Sequence, residues 1–186
     1  MPPRSMVPLL DTGMRGPPGG GGWLPHARSA PRRPRAGGPL RWEGAPVTIT
    51  TTGFSHLRLT VRDLAVSRRF YDTLFGWDVA VQVPADADAA TRERLWFVFD
   101  GVIYSTPGGL LGLRPVAAGD DGFSEDRVGL DHLCFAVPGR ADLDAAVEVL
   151  DSLGAPHGEV KDIGSMLLLE FRDPDGIALE LSAPKG

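Results

Sequence analysis

Three side chains that can bind a metal ion occupy patterned positions: His56, His132 and Glu180. Glu180 lies in an alternating run, residues 177–182, whose odd-numbered members are apolar and whose even-numbered members are small or polar. The pattern predicts a strand with Glu180 on the face opposite the apolar one. A carboxylate there is either exposed or needs a partner. Imidazole and carboxylate together suit divalent transition metals, so we expect the two histidines to be the partners of Glu180.

The two histidines occupy equivalent places in an internal repeat. Each opens an alternating segment, residues 54–61 and 130–137, and the two histidines are 76 residues apart. In both segments, from the residue after the histidine onward, every second residue is large and apolar, and the histidine belongs to the other set of alternating positions. The pattern predicts strands with one apolar core face and one face that carries the histidine. A helical pattern follows each segment, so the helix covers the core face and leaves the histidine face open.

The rest of the pattern completes two βαβββ modules. Asp63 is a typical N-cap for a helix over Leu64–Phe75, and Gly154 ends a second helix over 141–153. The further predicted strands cover residues 77–83, 95–99, 109–116, 157–163, 166–171 and 177–181. We therefore predict an α+β fold in which the two modules form a curved mixed-sheet cradle. If the two sheets curve around one cleft, His56, His132 and Glu180 meet inside it.

Composition separates a leader from the folded part. Residues 1–50 contain 7 of the 19 Lys and Arg residues, 10 of the 17 prolines and four consecutive glycines. Such a segment buries too little apolar surface to offset its conformational entropy, so we expect it to be disordered. The predicted folded domain spans 53–184, with module one at 53–116, a polar linker at 117–127 and module two at 128–184.

Charge and cysteine content exclude several classes of protein. The net charge of −5 argues against nucleic-acid binding, and no apolar run reaches membrane-spanning length. The single cysteine, Cys134, excludes an internal disulfide and favours a reducing compartment, so we expect a cytoplasmic protein. Cys134 shares the predicted face of His132 and is most simply a small buried residue.

Several of these motifs together resemble the vicinal oxygen chelate superfamily, the group of glyoxalases, bleomycin-resistance proteins and extradiol dioxygenases. The resemblance covers about residues 53–183. It is carried by His56, by Val61-Arg62-Asp63-Leu64, by Phe70-Tyr71 and Leu74-Phe75-Gly76-Trp77, by His132, and by Phe171-Arg172-Asp173-Pro174-Asp175-Gly176 before Glu180.

The resemblance implies a divalent metal held by His56, His132 and Glu180. The fourth ligand position of the family aligns with Leu113, which cannot bind a metal, so a strict glyoxalase assignment is disfavoured. Three ligands leave positions where a small oxygen-rich substrate can bind through two adjacent oxygens. The ligand set suits Fe, Mn, Zn, Co or Ni.

Other candidate residues surround this predicted site. Residues 95–99 lack the catalytic histidine of catechol-cleaving relatives, and Glu170 stands where those relatives have a tyrosine. Glu170 is therefore a candidate catalytic base, although a paired carboxylate at the rim is the plainer interpretation. Arg58 shares the face of His56 and is a candidate for binding an acidic substrate group, or else a structural ion pair. Trp96 is a candidate for stacking on a ligand, or else a core aromatic.

These features favour a metal-dependent enzyme with lyase, isomerase or dioxygenase chemistry on a small-molecule substrate. The alternative is a metal-independent binding protein like the bleomycin-resistance members, and a third is a regulatory protein that retains the ligands as a remnant. By resemblance we expect a homodimer, with no nucleic-acid or membrane partner. Whether the site forms within one chain or across two is left open by the sequence.

Overall fold

The structure is a computed structural model and describes residues 49–186. The compact unit that contains the predicted modules spans Thr50–Gly186. The predicted leader, residues 1–50, lies outside the described residues except for its last two positions.

The unit contains two βαβββ modules in sequence. The first contains β1 (His56–Thr60), α1 (Leu64–Phe75), β2 (Val79–Gln82), α2 (Ala89–Arg94), β3 (Val102–Thr106) and β4 (Gly109–Arg114). The second contains β5 (Leu133–Ala136), α3 (Arg140–Leu153), β6 (Lys161–Asp162), β7 (Met166–Arg172) and β8 (Ala178–Pro184). The predicted duplicated α+β fold is confirmed.

Each module forms its own four-stranded mixed sheet. The strand orders are β1-β4-β3-β2 and β5-β8-β7-β6. The first strand of each module runs parallel to the last, while the other neighbours are antiparallel. Consequently β1 and β5, the strands associated with the two histidines, are both edge strands.

Local sequence explains where the helices begin and end. The Asp63 carboxylate accepts hydrogen bonds from the backbone N–H groups of Ala65 and Val66 at the start of α1. Gly76 and Gly154 end α1 and α3 with φ of 59° and 63°, left-handed values that a residue with a Cβ adopts only with strain. The predicted cap Asp63 and both glycine ends are confirmed.

One prediction about the strands is wrong. Residues 95–99, predicted as the third strand, instead form a 3₁₀ turn over Trp96–Val98 that follows α2, and the third strand is β3. A short apolar run can belong to a strand or to a buried turn, and its periodicity does not distinguish them. The predicted strand at 157–163 is reduced to an isolated bridge at His157 and the two residues of β6.

The larger of two hydrophobic clusters contains residues of both modules. Tyr71 of α1, Leu143 and Leu150 of α3 and Leu169 of β7 are all fully buried in it. Burying each such side chain stabilises the fold by roughly 1.5–3 kcal/mol. The helices therefore occupy the core side of the sheets, and the opposite faces carry His56 and Glu180.

A buried carboxylate connects α1 of the first module to the turn before β8. The Asp173 side chain, 3% exposed, accepts hydrogen bonds from the backbone N–H groups of Asp175 and Ile177 and from the Tyr71 hydroxyl at 3.1 Å. Asp175 in turn accepts from Arg62 Nε at 2.6 Å. Burial raises the pKa of Asp173 to about 6, although these hydrogen bonds act in the opposite direction.

This raised pKa predicts a distinctive pH dependence of stability. A carboxyl that binds its proton more tightly in the folded state stabilises the fold fully below its unfolded pKa of about 3.9, and this contribution is lost as the pH rises through 6. The free energy of unfolding of the wild type relative to Asp173→Asn should therefore fall between pH 4 and 7. Urea unfolding at several pH values measures it.

Tyr71→Phe is the matched control, because it keeps the carboxyl but removes one of its donors. Relative to Asp173→Asn, the free energy of unfolding of this variant should show the same fall, displaced to higher pH. At neutral pH the variant should be less stable than the wild type by about 1 kcal/mol. A difference between wild type and Asp173→Asn that is flat or rises with pH would contradict this account of the network.

Candidate metal centre

His132 and Glu180 are brought together by the second module. His132 directly precedes β5, and β5 runs parallel to β8 with Cys134 beside Glu180. The distance from His132 Nε2 to Glu180 Oε2 is 3.7 Å. The Glu180 side chain is 13% exposed, whereas that of His132 is 49% exposed, so the pair faces an open surface.

Asp131 holds the other nitrogen of the same imidazole. Its Oδ1 lies 2.5 Å from His132 Nδ1, and this hydrogen bond raises the pKa of His132. The contact fixes the ring so that Nε2 is directed toward Glu180. Sequence reasoning missed Asp131; the signal was a carboxylate immediately before the histidine.

Glu170 lies directly across from Glu180 in the register of β7 and β8. Two carboxylates at facing positions repel each other, so each needs a cation nearby. Glu170 has one, because Lys161 Nζ lies 2.5 Å from its Oε2. Among the described residues, the only basic side chain within 4.0 Å of Glu180 is His132, whose imidazole is cationic only when protonated.

His56 lies at the start of β1, in the other sheet. It is exposed, and its side chain has no hydrogen-bond or ion-pair partner among residues 49–186. Within that same range, no three His, Cys, Asp or Glu side chains form a group that could hold a metal ion. One chain therefore brings together two of the three predicted ligands.

The prediction that Leu113 occupies the position equivalent to Glu180 is wrong. Leu113 is 1% exposed and pairs with Leu59 on the core face. Arg58 of β1, which corresponds to Cys134 of β5, pairs with Gly112, so Gly112 is the true counterpart of Glu180. A Cβ added at Gly112 would lie 3.0 Å from Arg58 Cγ, so the arginine covers this position.

The other two candidates lie on the open face of the first module. Arg58 Nη1 donates to the Phe97 carbonyl at 2.6 Å, and Trp96 is 68% exposed in the 3₁₀ turn. Trp96 is therefore not a core aromatic. A cavity of about 310 Å³ between β1 and the linker is lined by Arg58, Thr60, Phe123 and Arg127 among others, but not by His132 or Glu180.

Two βαβββ modules with an open face that carries histidine and glutamate define the class of protein. The sequence model of the Glyoxalase/Bleomycin resistance protein/Dioxygenase superfamily matches residues 53–181. The chain belongs to this superfamily, as the resemblance predicted.

Solved structures agree with this assignment. A glyoxylase/bleomycin resistance protein/dioxygenase domain from Frankia sp. EAN1pec is 34% identical, with a TM-score of 0.59 over 73% of this chain and 94% of that chain. A glyoxalase/dioxygenase from Nostoc punctiforme is 23% identical, with a TM-score of 0.57 over 76% and 100%.

A mutant of the fosfomycin resistance protein FosX from Listeria monocytogenes, complexed with Mn(II) and 1S,2S-dihydroxypropylphosphonic acid, shares the fold. It is 16% identical, with a TM-score of 0.55 over 73% of this chain and 93% of that chain. None of the curated proteins matches the chain. In the part of the chain that the structure describes, no helix has the length and apolar character required to cross a bilayer.

The role of Asp131 can be measured directly. Because its hydrogen bond raises the pKa of His132, Asp131→Asn should lower that pKa, as followed by NMR titration of the imidazole signals. The pKa of His157, which is raised by the Gly158 carbonyl and by Asp151, serves as the internal reference and should not change. An unchanged His132 titration would show that Asp131 does not hold the ring.

Proposed function

We propose that this protein is a metal-dependent enzyme whose site is completed by a homodimer. In each site His132 and Glu180 of one chain and His56 of a second copy would hold a divalent ion, Fe, Mn, Zn, Co or Ni. A small oxygen-rich substrate would bind through two adjacent oxygens for lyase, isomerase or dioxygenase chemistry. The observation that carries the proposal is the Glu180 carboxylate, which faces Glu170 and whose one basic neighbour within 4.0 Å among the described residues is the His132 imidazole at 3.7 Å.

The donor set fits a divalent metal. The distance between Nε2 and Oε2 is too long for a hydrogen bond but leaves both atoms available to one ion. A carboxylate that holds the second nitrogen of a ligating histidine is the usual arrangement in metal sites, and Asp131 supplies it. The FosX complex, which shares the fold, contains Mn(II), one of the ions proposed here.

The edge strands support a dimer. Within residues 49–186, β1 and β5 each pair on one side only, so each leaves a row of backbone groups without a strand partner there. Exposed edges favour pairing with another chain. If the β1 edge of a second copy approached the β5 edge of the first, the exposed His56 of that copy would be directed toward His132 and Glu180. This histidine would then supply the third ligand.

When bound, the metal would act as a Lewis acid that stabilises negative charge developing on substrate oxygens. Glu170, opposite Glu180, would accept and return a proton, while Lys161 keeps this carboxylate paired in the resting protein. Arg58 and Trp96 would bind and orient the substrate from the open face of the first module. A reducing cytoplasm, where the single exposed Cys134 remains a thiol, is the proposed location.

Metal content tests the proposal. Protein purified without chelator and then incubated with Mn(II) should bind about one equivalent per chain, as measured by mass spectrometry of the metal and by titration calorimetry. His56→Ala, His132→Ala and Glu180→Gln should each reduce the affinity by about tenfold or more. His157→Ala, which removes a histidine whose ring contacts Asp151 rather than Glu180, is the matched control and should bind normally.

Absence of binding for Fe, Mn, Zn, Co and Ni alike would overturn the enzyme proposal and favour the metal-independent binding protein. Binding that survived His132→Ala would overturn the ligand assignment.

The role of Glu170 is tested by kinetics. With a substrate found by screening the metal-loaded protein, Glu170→Gln should lower kcat by roughly 10²–10⁴-fold, because the amide cannot accept the proton. The exposed Glu159→Gln is the control, and both variants should bind Mn(II) as the wild type does. A kcat within a factor of about two of the wild type would show that Glu170 is only a partner of Lys161.

A further inference from the structure

The first module has an insertion that the second lacks. Residues 83–101 connect β2 to β3, whereas residues 163–165 connect β6 to β7. The insertion contains α2 and the 3₁₀ turn, and its Val83 and Val98 pack on Ile103 of the sheet. It places Trp96, Phe97 and Phe99 at the surface beside the open face of β1 and β4.

The end of this insertion has a strained backbone. Phe99 and Asp100 are the only non-glycine residues among positions 49–186 with positive φ, both at 56°. Such conformations persist where the surroundings enforce them, and they concentrate at functional sites. The close packing of Gly101 enforces the positive φ of the two residues before it, because a Cβ at Gly101 would lie 1.9 Å from the Leu113 carbonyl oxygen.

The strained Phe99 lies against two guanidinium groups. The Cζ atoms of Arg114 and Arg58 are 4.3 and 5.5 Å from its ring centroid. Arg58 precedes Thr60 by two positions on β1, and Thr60 pairs with Arg114 on β4, so both arginines lie on the histidine face. Cation–π contacts hold the two groups close together despite their like charge.

Neither guanidinium has an acidic partner in the described part of the chain. No carboxylate there lies within 4.0 Å of Arg58 or Arg114, whereas Arg62 and Arg172 each have one. Arg114 Nε is buried and has no hydrogen-bond partner among the described residues. A buried N–H without an acceptor is costly, so it favours binding of an anion.

We propose that Arg58 and Arg114, positioned by Phe99, bind an anionic group of the substrate, a carboxylate or a phosphonate, while Trp96 and Phe97 contact its apolar part. This inference rests on the proposed function, since His56 lies two residues before Arg58 on the same face. That spacing separates the two positions by about 7 Å along the strand. The substrate class is therefore a small acid whose anionic group and chelating oxygens reach both positions at once.

The test uses benzoate and phenylphosphonate as probes, with benzamide as the neutral analogue, on the full chain kept free of metal by chelator. NMR follows the Nε–H signal of Arg114 and the indole N–H of Trp96. We expect both acids to shift both signals and benzamide to shift neither. The acid that binds with the higher affinity shows whether the site prefers a planar carboxylate or a tetrahedral phosphonate.

Variants separate this subsite from general charge attraction. Arg114→Gln should weaken binding of the preferred acid by about tenfold or more. Arg69→Gln removes the same charge from the exposed side of α1 and should not change the affinity. Equal affinities in wild type and Arg114→Gln, or no shift of the Arg114 signal by either acid, would overturn the inference. The wild-type shifts do not depend on how any variant folds.

The two proposals can fail separately. His132→Ala should lose Mn(II) and keep the affinity for the acid, whereas Arg114→Gln should keep Mn(II) and lose the acid. Acid binding without metal binding would overturn only the proposed enzyme, and metal binding without acid binding would overturn only this subsite.

Discussion

The buried carboxylate of Asp173 is the interaction on which the arrangement of the site depends. It accepts two backbone hydrogen bonds from its own turn and one from Tyr71 of the other module. The turn thereby begins β8 at a fixed register, which places Glu180 opposite Glu170 and beside His132. A displacement of one residue would turn Glu180 toward the core. The same carboxylate therefore fixes the register of β8 and links the modules.

The two modules have diverged around a common frame. Both keep a parallel pair of first and last strands, yet the second module carries Glu180 where the first has Gly112 covered by Arg58. Conversely, only the first module has the insertion with its exposed aromatic residues. Module two supplies the candidate ligands His132 and Glu180, and module one supplies His56 and the candidate substrate contacts Arg58 and Trp96. The proposed site shared between copies would combine the two sets.

Much of the fold could be predicted because caps and alternation are local signals. Asp63, Gly76 and Gly154 set helix ends through their own backbone and side-chain chemistry. The Leu113 alignment failed because it superposed Pro107 on Pro174 without a gap. Gly112 follows Pro107 by five residues, whereas Glu180 follows Pro174 by six, so the alignment was displaced by one residue. The 3₁₀ turn at Trp96–Val98 was missed because it is held by the packing of Val98 on Ile103, a tertiary contact. The pairing of Asp131 with His132 required the geometry of the side chains.

The central claim is that each site takes ligands from two chains, and a mixed dimer tests it most directly. Chains with His56→Ala and chains with Glu180→Gln, carrying different tags, are co-expressed and the heterodimer is purified by both tags. The account predicts that one of its two sites has His56, His132 and Glu180 intact, so it should bind about half the Mn(II) of the wild-type dimer. Each homodimeric variant should bind far less. A heterodimer that bound no more Mn(II) than the homodimeric variants would contradict the account, because every chain would then need all three ligands itself.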